Sequence, residues 1–199
     1  ASVVFVDREQ GWAVGEGGTI IHTTDGGNHW VAQTSGMSTN LMSVDFVDEN
    51  HGWVVGDHMT LLVTIDGGHL WTSLFEPKTG AILGVDFVNE RHGWAVGTFN
   101  HVLHTIDGGT TWTEQTVSDV HWIIAVKFLN PLQGWVASVG GQVFRTIDGG
   151  TRWEPIEMVW YALDGIPVRV NGLEFVDHAR GWASGERGMI ATTSDGGTS

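Results

Sequence analysis

Five aspartates are the most regularly spaced chemical groups in this sequence, and their repetition first suggests a metal-binding or catalytic motif. Each sits in a short box of the form Thr-x-Asp-Gly-Gly, at Asp25, Asp66, Asp107, Asp148 and Asp195. A calcium loop needs several oxygen ligands at alternating positions, whereas each box offers one carboxylate. An aspartate that opens a tight turn accepts main-chain N–H bonds, and Gly-Gly supplies the positive φ angles of such a turn. The pattern therefore predicts a structural role for the box aspartates, and we expect no metal ion and no cofactor.

A second group of acidic residues falls on or near the variable loops and raises the question of glycoside hydrolysis. That reaction needs two carboxylates that face each other across the scissile bond. The candidates are Glu16, Asp57, Asp119, Glu157, Asp164 and Glu186. A sialidase would also have an arginine cluster and a tyrosine nucleophile, but Tyr161 is the only tyrosine and the arginines are scattered. We therefore expect a non-catalytic protein, and glycosidase activity is the enzymatic alternative.

The histidines give no spacing typical of a metal site. His51 and His92 precede a Gly-Trp pair, at a place where other copies of the repeat have Gln or Arg. His58 and His121 lie in variable loops and are available for binding a ligand. Because no close pair of histidines on a strand or helix suggests a ligand triad, zinc binding is disfavoured.

Charge and composition exclude several classes of partner. The chain has 23 acidic and nine basic residues, for a formal charge of −14, and it has no cysteine. Nucleic-acid binding needs clustered Lys and Arg, so it is disfavoured, as is an anionic membrane surface. No run of about 18 apolar residues predicts insertion into a membrane. The first residue is not Met, which indicates a processed or excised chain, and we expect an extracytoplasmic location: periplasm, thylakoid lumen or secreted.

Three landmarks repeat in phase along the whole chain. The box aspartates are separated by steps of 41, 41, 41 and 47 residues, and so are the Gly-Trp pairs and a set of phenylalanines. The phenylalanines are Phe5, Phe46, Phe87, Phe128 and Phe175. A period of about 40–45 residues is typical of a supersecondary unit that stacks on its neighbours. The repeats are expected at residues 1–39, 40–80, 81–121, 122–168 and 169–199 of one domain, 1–199.

Each repeat is predicted to contain four antiparallel strands, A to D. In the third repeat, strand A is predicted at 82–88, strand B at 93–97 and strand C at 101–105, and strand D begins at Thr111. Branched and aromatic residues favour strands, and the box forms the C–D hairpin. Strand A is expected to be innermost, because only small residues occur three positions before each phenylalanine. Four short strands in each repeat predict an all-β propeller.

The box resembles the Asp-box, or BNR repeat, Ser/Thr-x-Asp-Gly-Gly-x-x-Trp, which is found in sialidases, xyloglucanases and sortilin-type receptors. The longer unit runs from Val3-Val4-Phe5-Val6-Asp7 through Gly11-Trp12-Ala13-Val14-Gly15 to the box. This unit is most similar to the photosystem II stability/assembly factor family of propellers. The resemblance implies a lumenal or periplasmic factor that binds a protein partner, such as a membrane-protein complex under assembly.

Two features depart from that family. Its members have about seven blades, as propellers typically have four to eight. Here the fifth copy of the repeat ends before its strand D, so we expect the chain to be part of a larger propeller. The photosynthetic members also carry an arginine patch, whereas only Arg169 and Arg187 fall on the variable loops of this chain.

Loop lengths predict where a partner binds. The A–B and C–D loops are uniform and share one face, whereas the B–C and D–A loops vary and share the other face. Variable loops on a rigid scaffold are the usual place for function, and off-repeat aromatic residues suit a sugar ring or a peptide side chain. The predicted binding residues are Trp122, Trp160, Tyr161, Phe99 and His58. A protein partner is expected, and a glycan is the alternative ligand.

Overall fold

The computed structural model describes residues 1–74, 79–99, 101–118, 120–156 and 168–197. These residues form four four-stranded antiparallel sheets and one three-stranded sheet. The prediction of an all-β propeller with four-stranded blades is confirmed. Besides the strands, the described residues contain two one-turn 3-10 helices, Glu16–Gly18 and Glu186–Gly188.

The strands follow the repeat in chain order. The first sheet contains β1 Ser2–Phe5, β2 Gly11–Val14, β3 Ile20–Thr23 and β4 Val31–Gln33. The second contains β5 Leu41–Phe46, β6 Gly52–Gly56, β7 Leu61–Thr64 and β8 Thr72–Ser73. The third contains β9 Ile82–Phe87, β10 Gly93–Gly97, β11 Val102–Thr105 and β12 Thr113–Gln115. The fourth contains β13 Ile123–Phe128, β14 Gly134–Ser138, β15 Val143–Thr146 and β16 Glu154–Pro155, and the fifth contains β17 Val170–Phe175, β18 Gly181–Gly185 and β19 Ile190–Thr193.

The predicted strand limits in the third repeat are confirmed for strand B and need small corrections elsewhere. Strand A ends at Phe87, strand C begins at Val102, and strand D begins at Thr113 rather than Thr111. The later start of strand D has a local cause. The main-chain N–H of Thr111 donates to the Asp107 carboxylate at 2.8 Å, so Thr111 still belongs to the box turn.

The chain divides into two compact units, residues 1–95 with 105–112 and residues 96–104 with 113–199. In the first unit, β1 packs against β5 and β5 against β9; in the second, β13 packs against β17. Strand A of one blade therefore lies against strand A of the next within each unit, as expected for innermost strands. The assignment of 1–199 to one domain stays a prediction.

A repeated aromatic stack joins successive blades. Trp12 lies on Phe46 with ring centroids 3.7 Å apart, and Trp53 lies on Phe87 at 3.5 Å. In the second unit, Trp135 lies on Phe175 at 3.7 Å. Each of these indoles also donates its N–H to a box carbonyl of the next blade; for Trp53 the acceptor is Gly108, at 2.9 Å. The Gly-Trp tryptophan thus fastens one blade to the next by both stacking and a hydrogen bond.

Candidate functional site

The box carboxylates make hydrogen bonds within their own turns. The hydroxyl of Thr23 donates to Asp25 Oδ1 at 2.9 Å and accepts the N–H of Gly27 at 2.9 Å. The N–H of His29 donates to the same carboxylate oxygen at 2.8 Å. The bonds between threonine, aspartate and the second glycine recur in the other four boxes, around Asp66, Asp107, Asp148 and Asp195.

These bonds stabilise the ionised form of the carboxylates. The main-chain and then the side-chain hydrogen bonds from His29 lower the pKa of Asp25 to about 2. The corresponding bonds from Thr111 lower the pKa of Asp107 to about 2. A carboxylate with such a low pKa is a poor general acid, because proton transfer works best with a pKa near the working pH. The box geometry thus supports a role in the turn rather than in proton transfer.

Each box is also tied to the A–B loop of its own blade. The N–H of Gly26 donates to the main-chain carbonyl of Glu9 at 2.9 Å, and the N–H of Gly67 donates to the main-chain carbonyl of Asn50 at 3.0 Å. The boxes at Gly108, Gly149 and Gly196 make the same bond to their own A–B loops. The predicted pairing of the A–B and C–D loops on one face is confirmed.

The B–C and D–A loops meet in the same way at the other end of the strands. In the first unit, the N–H of Asp57 donates to the Asn40 carbonyl at 3.0 Å. In the second unit, the main-chain N–H of Val139 donates to the Trp122 carbonyl at 3.0 Å, and the main-chain N–H of Glu186 donates to the Arg169 carbonyl at 3.0 Å. In each unit we call this face the variable-loop surface. Its described residues are 16–18, 34–40, 57–59, 79–81, 98–99, 116–118, 120–122, 139–141, 168–169 and 186–188.

Residues other than glycine adopt left-handed backbone at the tips of the B–C loops. Among the described residues, four other than glycine have φ near +60°, and all four lie at these tips: His58, Met59, Phe99 and Arg187. The same tip positions in other blades carry Gly17, Gly18, Gly141 and Gly188, which adopt this conformation at little steric cost. A side chain at such a position costs about 1–3 kcal/mol, and strained residues of this kind cluster at functional sites.

Two of the predicted binding residues are brought together in the second unit. Thr98 forms an isolated antiparallel bridge with Trp122, so the backbone of Phe99 directly follows a residue that pairs with Trp122. Phe99 is 62% exposed and Trp122 is 48% exposed. Trp122 is held further by the bond from Val139 to its carbonyl. The pair therefore presents large apolar rings to solvent from an ordered backbone.

The other predicted binding residues have different outcomes. His58 is exposed at the tip of the second B–C loop, in the first unit. Trp160 and Tyr161 lie outside the described residues. The structure thus brings Phe99 and Trp122 together and places His58 on a corresponding loop, and the binding role of all five stays a prediction.

The predicted binding residues do not include Met59 and Arg187, which share the left-handed conformation with His58 and Phe99. A signal was present. Aligning the B–C tips by the repeat places these bulky residues where other blades have glycine. The alignment of the repeats alone shows that these residues occupy positions where the other copies have glycine, which is the residue that adopts positive φ most easily.

One cluster of ligand-type groups lies in the A–B loops, away from the variable-loop surface. Within the described residues, potential ligand atoms of Asp48, His51 and Glu90 lie within 4.8 Å of one another. His51 Nδ1 is 2.9 Å from Asp48 Oδ2 and 4.0 Å from Glu90 Oε1. The same ring nitrogen faces both carboxylates, so an ordinary hydrogen bond accounts for the grouping.

Two carboxylates of the glycosidase hypothesis lie on the variable-loop surface in the first unit. Glu16 is exposed, and Asp57 Oδ2 accepts a hydrogen bond from Asn40 Nδ2 at 3.0 Å. In the second unit Glu186 is exposed, whereas Asp119, Glu157 and Asp164 lie outside the described residues. Among the described residues, no helix is long and apolar enough to cross a membrane.

Comparisons with known proteins extend these observations. A family model described as "Photosynthesis system II assembly factor YCF48" matches residues 33–79 and 71–173, well over half of the chain. No curated protein matches the sequence. The solved structure "YCF48 bound to D1 peptide" is 17% identical, with a TM-score of 0.51, and the match covers 98% of this chain and 92% of that one.

Two further structures place the fold in a wider group. YCF48 from Cyanidioschyzon merolae is 17% identical, with a TM-score of 0.63, and the match covers 100% of this chain and 83% of that one. The GH74 enzyme of Niastella koreensis is 19% identical, with a TM-score of 0.68, and the match covers 100% of this chain but only 30% of the enzyme. At these identities the likeness shows the propeller fold alone.

Proposed function

This chain belongs to the photosystem II assembly factor YCF48 family, and we propose that it is a non-catalytic propeller that binds a protein partner through its variable-loop surface. The partner is an extended segment of a membrane-protein subunit during assembly. The similar YCF48 structure is bound to a D1 peptide, which supports a peptide segment as the ligand. Our proposal places the chain outside the cytoplasm, in a periplasm, a thylakoid lumen or the secreted fraction.

The exposed pair Phe99 and Trp122 carries this proposal. Both side chains are about half or more exposed, although exposure of two large rings costs solvation free energy in an isolated protein. Rigid aromatic residues lose little conformational entropy on binding and are enriched at the centres of protein interfaces. The bridge between Thr98 and Trp122 fixes their backbone in advance, which lowers the entropy that binding would cost.

The charge of the chain narrows the class of partner. A formal charge of −14 disfavours an acidic segment and favours one that is apolar with basic residues. Arg187 is exposed at the B–C tip of the fifth blade, in the same unit, and its guanidinium group suits a carboxylate or a main-chain carbonyl. An apolar peptide with basic side chains and a free carboxyl end fits these groups.

A peptide array tests the proposal directly. Overlapping peptides that tile the D1 protein would be probed with the wild-type chain and with the Phe99→Ala/Trp122→Ala variant. We expect a small set of peptides to bind the wild-type chain, with affinity at least tenfold weaker for the double variant, because about 2 kcal/mol or more is lost when anchoring aromatic residues are removed.

The chain offers a matched control on its opposite face. Ile106 and Ile147 occupy the second position of two boxes and are 54% and 66% exposed. An Ile106→Ala/Ile147→Ala variant removes exposed apolar side chains from the box face and should bind the same peptides as the wild type. Equal loss in both double variants, or peptide binding that ignores Phe99 and Trp122, would contradict the proposal.

Activity measurements test the enzymatic alternative. We expect the chain to release no reducing sugar from xyloglucan and no product from aryl glycosides. Turnover that disappears in Asp57→Asn or Glu186→Gln, while peptide binding persists, would replace the binding proposal with a glycosidase. Both substitutions keep the size of the side chain and remove only its charge.

A further inference from the structure

The junction between the first and second blades contains a histidine beside its aromatic stack. Trp12 is fully buried, and its indole lies nearly parallel to two other rings, those of Phe46 in the second blade and His22 in its own blade. The ring centroids of Trp12 and His22 are 4.4 Å apart, and the ring planes differ by 9°. His22 faces Trp12 because the two residues pair across β2 and β3. The imidazole is therefore part of the packing that joins two blades of the first unit.

The same indole is bonded to a box of the second blade that carries another histidine. The N–H of Trp12 donates to the main-chain carbonyl of Gly67 at 3.2 Å. Two residues further along the same box lies His69, whose side chain is exposed. Burial, and then the charge of His69, lower the pKa of His22. The two imidazoles therefore lie close enough for positive charges on both to repel each other.

Neither histidine needs to lose a hydrogen bond when it takes up a proton. The Nε2 of His22 lies 2.9 Å from Gln10 Oε1, and the Nδ1 of His69 lies 2.6 Å from the carbonyl of Asp66. Since both acceptors are oxygens, these nitrogens carry the hydrogen in the neutral rings, and the second nitrogen of each ring accepts the added proton. Protonation therefore acts on this junction through charge rather than through the loss of hydrogen bonds.

The other charged groups around this junction are bonded elsewhere or exposed. Of β1, β4 and β5, the strands that pack against β2 and β3, only β5 has a titratable side chain, Asp45, which accepts the N–H of Phe87 at 2.6 Å. The loop and box aspartates at this end accept hydrogen bonds from their own turns: Asp7, Asp25, Asp48 and Asp66. The exposed groups are Arg8, Glu9 and Glu49. His29 and His51 lie beside Asp25 and Asp48, at 2.6 Å and 2.9 Å. Among the described groups, His69 is thus the cation that acts on His22.

We propose that the junction between the first and second blades is a pH-sensitive contact, in which protonation of His22 and His69 at mildly acidic pH weakens the packing of Trp12 between the blades. A charge on His22 loses solvation beside the buried indole, and a charge on His69 repels it. Because folding lowers the pKa of His22, its neutral ring contributes stability above about pH 6.5, and this contribution is lost as the pH falls through the lowered pKa. The contact lies at the box end of the strands, so this response is separate from binding at the variable-loop surface.

The next junction of the same unit has the same construction without these two histidines. Trp53 makes an equivalent stack and an equivalent hydrogen bond to the following blade. Val63 pairs with Trp53 at the position of His22, and Thr110 takes the position of His69. Neither replacement can take up a proton in this pH range. The second junction is therefore an internal control for the first.

The fourth blade shows what a single positive charge does at this position. Arg145 replaces His22 there, and its guanidinium lies 5.9 Å from the ring centroid of Trp135, which is fully buried. The fifth box has threonine rather than histidine at the position of His69. A lone cation beside an indole is attracted by the face of the ring. The repulsion between two facing histidines, rather than one cation alone, therefore distinguishes the first junction.

Hydrogen exchange of the indole N–H groups tests the proposal, because each of these groups crosses one junction. The protection of the Trp12 and Trp53 indoles, corrected for the intrinsic exchange rate, would be measured by NMR at about pH 7.5 and about pH 5.5. We expect the protection of Trp12 to fall about threefold or more at the lower pH, while that of Trp53 changes little. Equal changes at the two indoles would overturn the proposal.

Two variants borrow the residues that the chain itself has at the equivalent positions. We expect His22→Val and His69→Thr each to remove most of the pH-dependent loss of protection at Trp12. His69→Thr should also move the titration of the His22 ring, followed by NMR, to higher pH, because a facing positive charge is removed. A loss at Trp12 that persists in both variants, or an unchanged titration of His22, refutes the role of the pair.

The reverse exchange tests whether the two histidines are sufficient. Val63→His/Thr110→His places the pair at the second junction, and circular dichroism would verify that the variant is folded. We expect the protection of the Trp53 indole to become pH-dependent in this variant, as that of Trp12 is in the wild type. An unchanged response of Trp53 in the folded variant would contradict the proposal.

Discussion

Replacing Trp135 with alanine tests the interpretation that the Gly-Trp tryptophans fasten successive blades. Trp135 is fully buried and lies on Phe175 with ring planes 5° apart. Its indole N–H donates to the carbonyl of Gly196 at 3.2 Å, and the Arg145 guanidinium lies 5.9 Å from its ring. Trp182 occupies the same repeat position in the next blade of the same unit but is 44% exposed.

The contrast between these two sites sets the expected magnitudes. Truncation of a fully buried tryptophan to alanine costs about 3–5 kcal/mol, including the cavity that it leaves. Trp182 keeps little more than half of that burial, so at about 25 cal/mol per Å² its truncation should cost about 2 kcal/mol or less. Loss of the aromatic stack and the hydrogen bond adds about 1–2 kcal/mol to the cost of truncating Trp135.

Urea unfolding of Trp135→Ala and Trp182→Ala measures both values in the same background. Both residues lie in the second unit, so both losses are measured on the unfolding of the same unit. We expect the free energy of unfolding to fall by at least about 2 kcal/mol more for Trp135→Ala, with unchanged dependence on urea concentration. Equal losses, or a larger loss at Trp182, would refute the role assigned to the interblade stack.

Three further predictions concern the turns and tips. Hydrogen bonds from Thr111, first from its main-chain N–H and then from its hydroxyl, lower the pKa of Asp107 from 3.8 to about 2, so the stabilisation by the ionised carboxylate is present above pH 3.8 and is lost as pH falls through about 2. The difference in melting temperature between wild type and Asp107→Asn should therefore become smaller between pH 4 and pH 2. A difference that stays constant would contradict this prediction. Phe99→Gly should raise the free energy of unfolding by about 0.5–1 kcal/mol in thermal unfolding, because φ is +61° at this residue. The same substitution should weaken the binding of a partner peptide. A lower stability would show that the Phe99 ring makes stabilising contacts within the protein. Gly108→Ala should lower the thermal stability of the protein more than Gly36→Ala does. Both glycines have positive φ, but only at Gly108 would the new Cβ meet a carbonyl oxygen, at 2.9 Å. Similar losses of stability in the two variants would mean that backbone strain alone sets the cost.

The box and the limits of strand B could be predicted because their causes are local. The turn around Asp107 is closed by hydrogen bonds among residues 105 to 111, so the eight-letter pattern contains nearly all the groups that form it. Because the pattern repeats, the same turn is predicted in every blade. The repeat also predicts that the A–B and C–D loops share one face. The start of strand D was placed two residues early, because the turn retains Thr111 through its N–H.

The candidate site could be predicted only in part. The repeat identified Trp122 and Phe99 as off-register aromatic residues, but their exposure and their connection through Thr98 depend on how two loops from different blades meet. Such a meeting is decided by packing between residues more than 20 positions apart. The left-handed backbone at His58 and Phe99 likewise depends on the bonds that close each tip, for which single residue types are a weak guide.

The sequence by itself determined the repeat register of this protein, that is, the positions of the five boxes, the five Gly-Trp pairs and the alternating uniform and variable loops. It could do so because the turn that each box forms depends on interactions within about eight residues. The tertiary structure decided which copies of the same motif are equivalent in environment. Trp135 and Trp182 are identical letters at identical repeat positions, yet one is buried and the other is 44% exposed. The physical reason is that burial depends on the residues of neighbouring strands and blades rather than on the motif itself.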